Sequence, residues 1–122
     1  MYRNRKYHIV NHPICVKMSE LDNDIKNHLV KTFLDIIVLT MLSQNSSHGY
    51  ALIADIHKKF DVLLSPGTLY PLLYSLEKKD MVSIKKDGRR KNYFLTSKGK
   101  IQSQKVIQLY KQQISQLLHF LD

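Results

Sequence analysis

The stretch Ser65 to Thr96, SPGTLYPLLYSLEKKDMVSIKKDGRRKNYFLT, constrains this chain more than any other. Ser65 is a natural helix N-cap, and Pro66 suits the first helical position, where its missing N–H costs nothing. Leu69, Leu72, Leu73 and Leu76 then repeat at i, i+3, i+4, i+7, which is one buried helix face. At about 100° per residue the opposite face carries Gly67, Pro71, Tyr74 and Lys78, with Thr68 and Tyr70 on the flanks. Pro71 removes a helix hydrogen bond inside the element, a cost of up to about 3 kcal/mol. Local violations of this kind often sit where function needs a special shape. The spacing predicts a helix near 66–79.

Two alternating segments around a basic turn follow, near 82–95. A tip at Asp87-Gly88 would set Ile84 opposite Lys91 and Val82 opposite Tyr93. A tip at Gly88-Arg89 pairs Ile84 with Tyr93 and Val82 with Leu95, so that all four apolar side chains share one face. A shared apolar face sets register, which favours the second arrangement, as a two-residue tip or as a wider loop over Asp87 to Arg90. Helix, strand, basic loop, strand is the layout of a winged helix-turn-helix. The fold class expected is mainly α with a small β-hairpin.

The rest of the chain fits around that unit. Ser19 and Asp22 mark a helix start, and the apolar positions from Ile25 to Leu42 predict one central helix that by its second half is apolar on nearly every side. Ser43 to Ser47 is a polar break. Ser47 is expected to cap a helix from His48 to about Phe60, with Tyr50 or Ala51, Ala54, and Ile56 or His57 facing inward around Ile53. Thr96 caps a last helix, on which Ile107, Tyr110, Ile114, Leu117 and Leu121 form a heptad-like seam. A long helix with one narrow apolar stripe favours a homodimer. The organisation expected is a basic N-terminal arm over 1–18, a winged domain over 19–96, and a dimerisation helix over 97–122.

Charge points to a polyanion partner. Nineteen Lys and Arg against ten Asp and Glu give a net charge of +9. Lys78 to Lys91 alone holds seven basic and two acidic residues, a net +5. A single cysteine, Cys15, excludes an internal disulfide and a cysteine-rich zinc site. The basic N-terminus lacks the apolar core of a signal peptide, and the longest apolar stretch, Leu29 to Leu42, contains Lys31 and Asp35. These features predict a cytoplasmic protein without a membrane partner.

Catalysis finds no support in the residues. No phosphate-binding glycine loop occurs. His8 and His12 stand at i, i+4 but lack the glutamate of the zinc motif H-E-x-x-H, and the six histidines are otherwise scattered. Ser75-x-x-Lys78 and Ser83-x-x-Lys86 match an acylase signature without its partner motifs. The expectation is no enzyme, no cofactor and no metal.

Binding of double-stranded DNA has a mechanism. Free N–H groups at the start of the 66–79 helix, around Gly67 and Thr68, make an anion site for a phosphate. Tyr70 and Tyr74 suit phosphate, sugar and base edges, and Lys78 extends the positive face. Lys85, Lys86, Arg89, Arg90 and Lys91 at the hairpin reach flanking phosphates or the minor groove. Tyr50 and Ser65 complete the candidate DNA-binding set. The rival reading is a winged-helix module for protein or RNA.

His48-Gly49-Tyr50, Pro66-Gly67-Thr68-Leu69-Tyr70-Pro71-Leu72-Leu73, Leu76-Glu77, and Gly88-Arg89-Arg90-Lys91-Asn92-Tyr93 through Leu95-Thr96 with Gly99 resemble the PadR family of transcriptional regulators. The resemblance runs from about Lys31 to Gly99. It implies a winged helix that dimerises through a C-terminal helix and binds operator DNA as a two-fold dimer, usually as a repressor. The short segment after Gly99 is similar to the branch with a single C-terminal helix. Some relatives bind flat aromatic ligands at the dimer interface, often against a tryptophan. This chain has no tryptophan, and Tyr110 is the only seam aromatic before Phe120, so a small-molecule effector there rests on the resemblance alone. The family usually has glycine where this chain has Asp80, which predicts a small conformational cost if that residue is left-handed.

Overall fold

The single helix expected over Ser19–Leu42 is two helices. The computed structural model describes residues 17–122, and in it α1 (Met18–Thr32) ends at Phe33, which leaves helical geometry at φ −103°, ψ 21°. The second helix, α2 (Leu34–Gln44), then buries Leu34, Val38, Leu39 and Leu42. The turn separates two kinds of sequence. α2 is apolar over most of its surface and takes the centre, whereas α1 carries Asp22, Asn23, Asp24 and Asn27 and buries only Val30. Lys17 occupies the N-cap position of α1, so Ser19 lies inside the first turn and not at its cap. The expected basic arm falls almost wholly on residues 1–16, outside the described residues.

Ser47 does not cap the next helix. Ser47 and His48 form a two-residue strand, β1, and α3 (Gly49–Phe60) starts after His48. The Ser47 hydroxyl donates to the His48 carbonyl, and the strand pairs Ser47 with Tyr93 and His48 with Asn92. The inward side of α3 is Leu52, Ile53 and Ile56; Tyr50, Ala51, Ala54 and His57 are exposed. Ile53 and Ile56 are inward as expected, whereas Gly49 and Leu52 take the places expected for Tyr50 or Ala51 and for Ala54.

α4 (Pro66–Lys78) follows a short link in which Val62 and Leu64 are buried. Leu69, Leu73 and Leu76 are at most 3% exposed and Leu72 packs on the same cluster. Full burial of each such side chain contributes about 1.5–3 kcal/mol before entropy is counted. Pro71 stays inside α4 without ending it, on the exposed side. The helix stops in a Schellman arrangement: Met81 N–H donates to Leu76 O (3.0 Å) and Asp80 N–H to Glu77 O (2.9 Å). Asp80 takes the left-handed position that this motif needs, with φ 62°.

β2 (Val82–Asp87) and β3 (Arg90–Leu95) pair with Val82 opposite Leu95, Ile84 opposite Tyr93, and Asp87 opposite Arg90. The tip is therefore the two residues Gly88-Arg89, and the wider loop does not occur. Gly88 has φ 65° while Arg89 does not, as a type II′ turn requires. The sheet order is β1-β3-β2, so β3 is central.

α5 (Ser97–Leu121) begins at the Thr96 cap, whose Oγ1 accepts from Gly99 N–H at 2.9 Å. The same hydroxyl donates to Asp80 O at 2.7 Å, and Thr96 N–H donates to Met81 O at 3.0 Å. One residue thus joins the end of α4, the base of the wing and the start of α5. Gly99 and Ser103, one turn apart, are the buried positions of α5. Further along, the Tyr110 ring meets Phe33 edge-on at 5.7 Å, and its hydroxyl donates to Asp35 Oδ2 at 3.3 Å. No helix among the described residues is long and apolar enough to cross a membrane.

Candidate nucleic-acid interface

The start of α4 presents polar groups outward. Ser65, Pro66 and Gly67 are exposed, and Thr68 is half-buried. Ser65 holds the N-cap position, but its hydroxyl pairs with Thr68 Oγ1 at 3.1 Å and makes no cap bond to a backbone N–H. The two hydroxyls sit together at the helix start, where Thr68 N–H and Leu69 N–H both donate to Ser65 O (3.0 and 3.3 Å) and Pro66 has no N–H. Of the N–H groups expected to be free around Gly67 and Thr68, only that of Gly67 is left without a backbone partner among the described residues. A Cβ on Gly67 would have only Ser65 Oγ near it, at 3.8 Å. The fold leaves that position free for a side chain, so glycine there is not required by internal packing.

Along the same side, Tyr74 is 60% exposed and Lys78 Nζ stands 5.4 Å from the centre of its ring. That pairing holds a cation over an aromatic face at the surface. From α3, Tyr50 is 67% exposed. Tyr70 differs from both. It is half-buried, it packs on the core, and its ring lies edge-on to Tyr50 with centroids 6.0 Å apart. Burial first, and then the neighbouring Tyr50 phenol, push its pKa above the ordinary tyrosine value. Tyr93 of β3 is buried beneath the wing, and its pKa is raised by burial, then by Tyr70 and Glu77.

Lys85, Lys86, Arg89, Arg90 and Lys91 are all exposed on the hairpin. Among the described residues the ion pairs join Lys26 to Asp22 (3.2 Å) and to Asp61 (4.0 Å), so none of these five cations meets a carboxylate. His48 Nδ1 lies 3.1 Å from Lys91 O, which ties the root of α3 to the wing. Sequence reasoning missed β1 and this bond, because two residues give no alternation to read.

The expected dimer seam splits in two. Ile107, Tyr110 and Ile114 are half-buried, whereas Leu117 and Leu121 are 55% and 68% exposed. Leu118 and Phe120 beside them are exposed as well, at 58% and 82%. α1 carries a second open apolar stripe, Met18, Leu21, Ile25 and Leu29. Among the described residues no cluster of three His, Cys, Asp or Glu has the spacing to hold a metal.

Comparison with known proteins agrees with this geometry. Residues 38–105 match the model of the Transcriptional regulator PadR-like family. The chain is 35% identical over 69 residues to the transcriptional regulator YqjI of Escherichia coli, covering 54% of this chain and 33% of YqjI. It is 33% identical over 81 residues to the transcriptional activator GvpE1 of Halobacterium salinarum, covering 62% of this chain and 42% of GvpE1. The chain thus spans less than half the length of these curated relatives. A PadR family regulator from Eggerthella lenta superposes with a TM-score of 0.73 at 22% identity, covering 86% of this chain and 96% of that one. A PadR-like regulator from Bacillus cereus gives 0.68 at 26% identity, covering 78% and 97%. This is a family of regulators and not of enzymes. With more than half of its residues under the family model and the winged helix complete, the chain belongs to the PadR-like family of transcriptional regulators.

Proposed function

We propose that the protein is a homodimeric, sequence-specific repressor that occupies operator DNA in the cytoplasm. One observation carries this reading: α4 is locked into the core by Leu69, Leu73 and Leu76, and its free side is made of groups suited to DNA. These are Ser65, Gly67 and Thr68 at the helix start, then Tyr74 and Lys78. Tyr50 would join them from α3. Lys85, Lys86, Arg89, Arg90 and Lys91 would take flanking phosphates, since each is exposed and free of carboxylates among the described residues.

The dimer would bury the outer half of α5, centred on Leu117 and Leu121, together with the open stripe of α1. Exposed apolar patches of this kind mark interaction surfaces. A small-molecule effector at that interface would meet Tyr110 already engaged by Asp35 and Phe33. Repression is the sign that the family resemblance implies; GvpE1 is named an activator, and a reporter assay decides between the two.

Selection of bound fragments from a random duplex pool tests the reading. The expected product is one enriched motif with two-fold symmetry, its half-sites about one helical turn apart. A pool that stays random after repeated rounds would reject operator binding.

A further inference from the structure

By position in the sequence, Tyr70 groups with the outward tyrosines; by contact it does not. Its phenol fills the space that a side chain at position 49 would need. A Cβ on Gly49 would lie 2.7 Å from Tyr70 Cε1 and overlap the hydroxyl. Gly49 is buried at the first turn of α3, and its φ is not left-handed, so glycine serves the ring and not the backbone there. The next residue, Tyr50, meets the same ring edge-on at an interplanar angle of 63°. On the wing side, Tyr70 is close enough to Tyr93 to help raise that phenol's pKa.

We infer that Tyr70 is a positioning residue and not a DNA contact: its ring wedges α3 against α4 through Gly49 and sets where Tyr50 is presented. The inference rests on the DNA-binding reading and refines it. A binding constellation must be held to a fraction of an ångström by groups whose own rotamers are fixed by packing. Tyr70 is in that supporting place, with Gly49 behind it, Tyr50 in front and the wing strand beside it. The sequence-based expectation that Tyr70 touches DNA is replaced by action through Tyr50.

The test uses the full chain, a duplex that it selects from a random pool, and a random duplex of equal length, with a thermal transition recorded for every variant. Tyr70→Phe keeps the ring and should bind the selected duplex within about twofold of the parent, because no DNA bond is lost. Tyr70→Leu and Gly49→Ala should each lose about tenfold on the selected duplex while the random duplex, held by charge, is unaffected. In a Tyr50→Ala background, Tyr70→Leu should cost less than about twofold more, since residues that act through one another are not additive. A tenfold loss in Tyr70→Phe, or additive losses for positions 50 and 70, would overturn the inference while leaving operator binding intact. Failure of the parent to prefer its selected duplex would remove the DNA reading and this inference with it.

Discussion

The carbonyl of Met81 lies against the α-carbon of Gly99. A Cβ at position 99 would overlap the Met81 oxygen and stand 2.8 Å from its carbonyl carbon. The obstacle is backbone, so no side chain can swing aside. Gly99→Ala should therefore destabilise by about 3 kcal/mol or more, the upper range for overpacking. Thr96→Ala, which removes a cap and the hydroxyl bond to Asp80 O, should cost about 1–2 kcal/mol. Urea denaturation of both variants checks the order, Gly99→Ala being the worse.

Asp80 gives the opposite sign. It holds φ 62° at the end of α4, a conformation that costs L-residues about 1–2 kcal/mol and glycine almost nothing. The bonds made at that turn use its backbone and survive substitution. Asp80→Gly should raise stability by about 0.5–1 kcal/mol, less than the full relief because glycine gains freedom in the unfolded chain. Comparing denaturation midpoints with the parent measures it.

Position 67 separates stability from function. Nothing but Ser65 Oγ approaches within 4 Å of a Cβ there, and alanine is about 1 kcal/mol better than glycine within a helix. Gly67→Ala should therefore leave the fold as stable or raise it by up to about 1 kcal/mol. Operator affinity should fall at the same time, because the new methyl stands where the DNA backbone is to approach. A variant both more stable and fully active would show that this turn is not part of the interface.

The outer end of α5 tests assembly. Leu117 and Leu121 are largely exposed in the single chain, so aspartate there does not disturb its core. The double variant Leu117→Asp, Leu121→Asp should sediment as a folded monomer while the parent sediments as a dimer. Unchanged mass in the variant would exclude this seam.

Much of the fold was legible because its signals are periodic. The stripe from Leu69 to Leu76 placed α4, and the shared face of Val82, Ile84, Tyr93 and Leu95 fixed the hairpin tip at Gly88-Arg89. Thr96 marked its own helix by cap chemistry. What escaped was not periodic. The break at Phe33 falls inside the longest apolar stretch, where neither Lys31 nor Asp35 is a helix breaker, and its ring meets Tyr110 of a distant helix. β1 is too short to show a pattern. On α3, Ile53 and Ile56 were legible as inward, but the buried Gly49 was not, because it fits against Tyr70 across two elements. That contact also leaves Tyr70 half-buried where Tyr50 and Tyr74 are exposed. The exposed cations of the wing were legible throughout, since charge at a hairpin tip needs no tertiary partner.

Equilibrium binding of the chain to its selected duplex and to random duplex, across a salt series, bears most directly on the central claim. A DNA interface that uses the wing cations should show affinity falling steeply and linearly on logarithmic axes, with about five or more phosphate contacts in the slope. The selected duplex should be held at least about a thousandfold more tightly than random duplex. Absence of duplex binding at low salt, or equal affinity for both sequences, would contradict it.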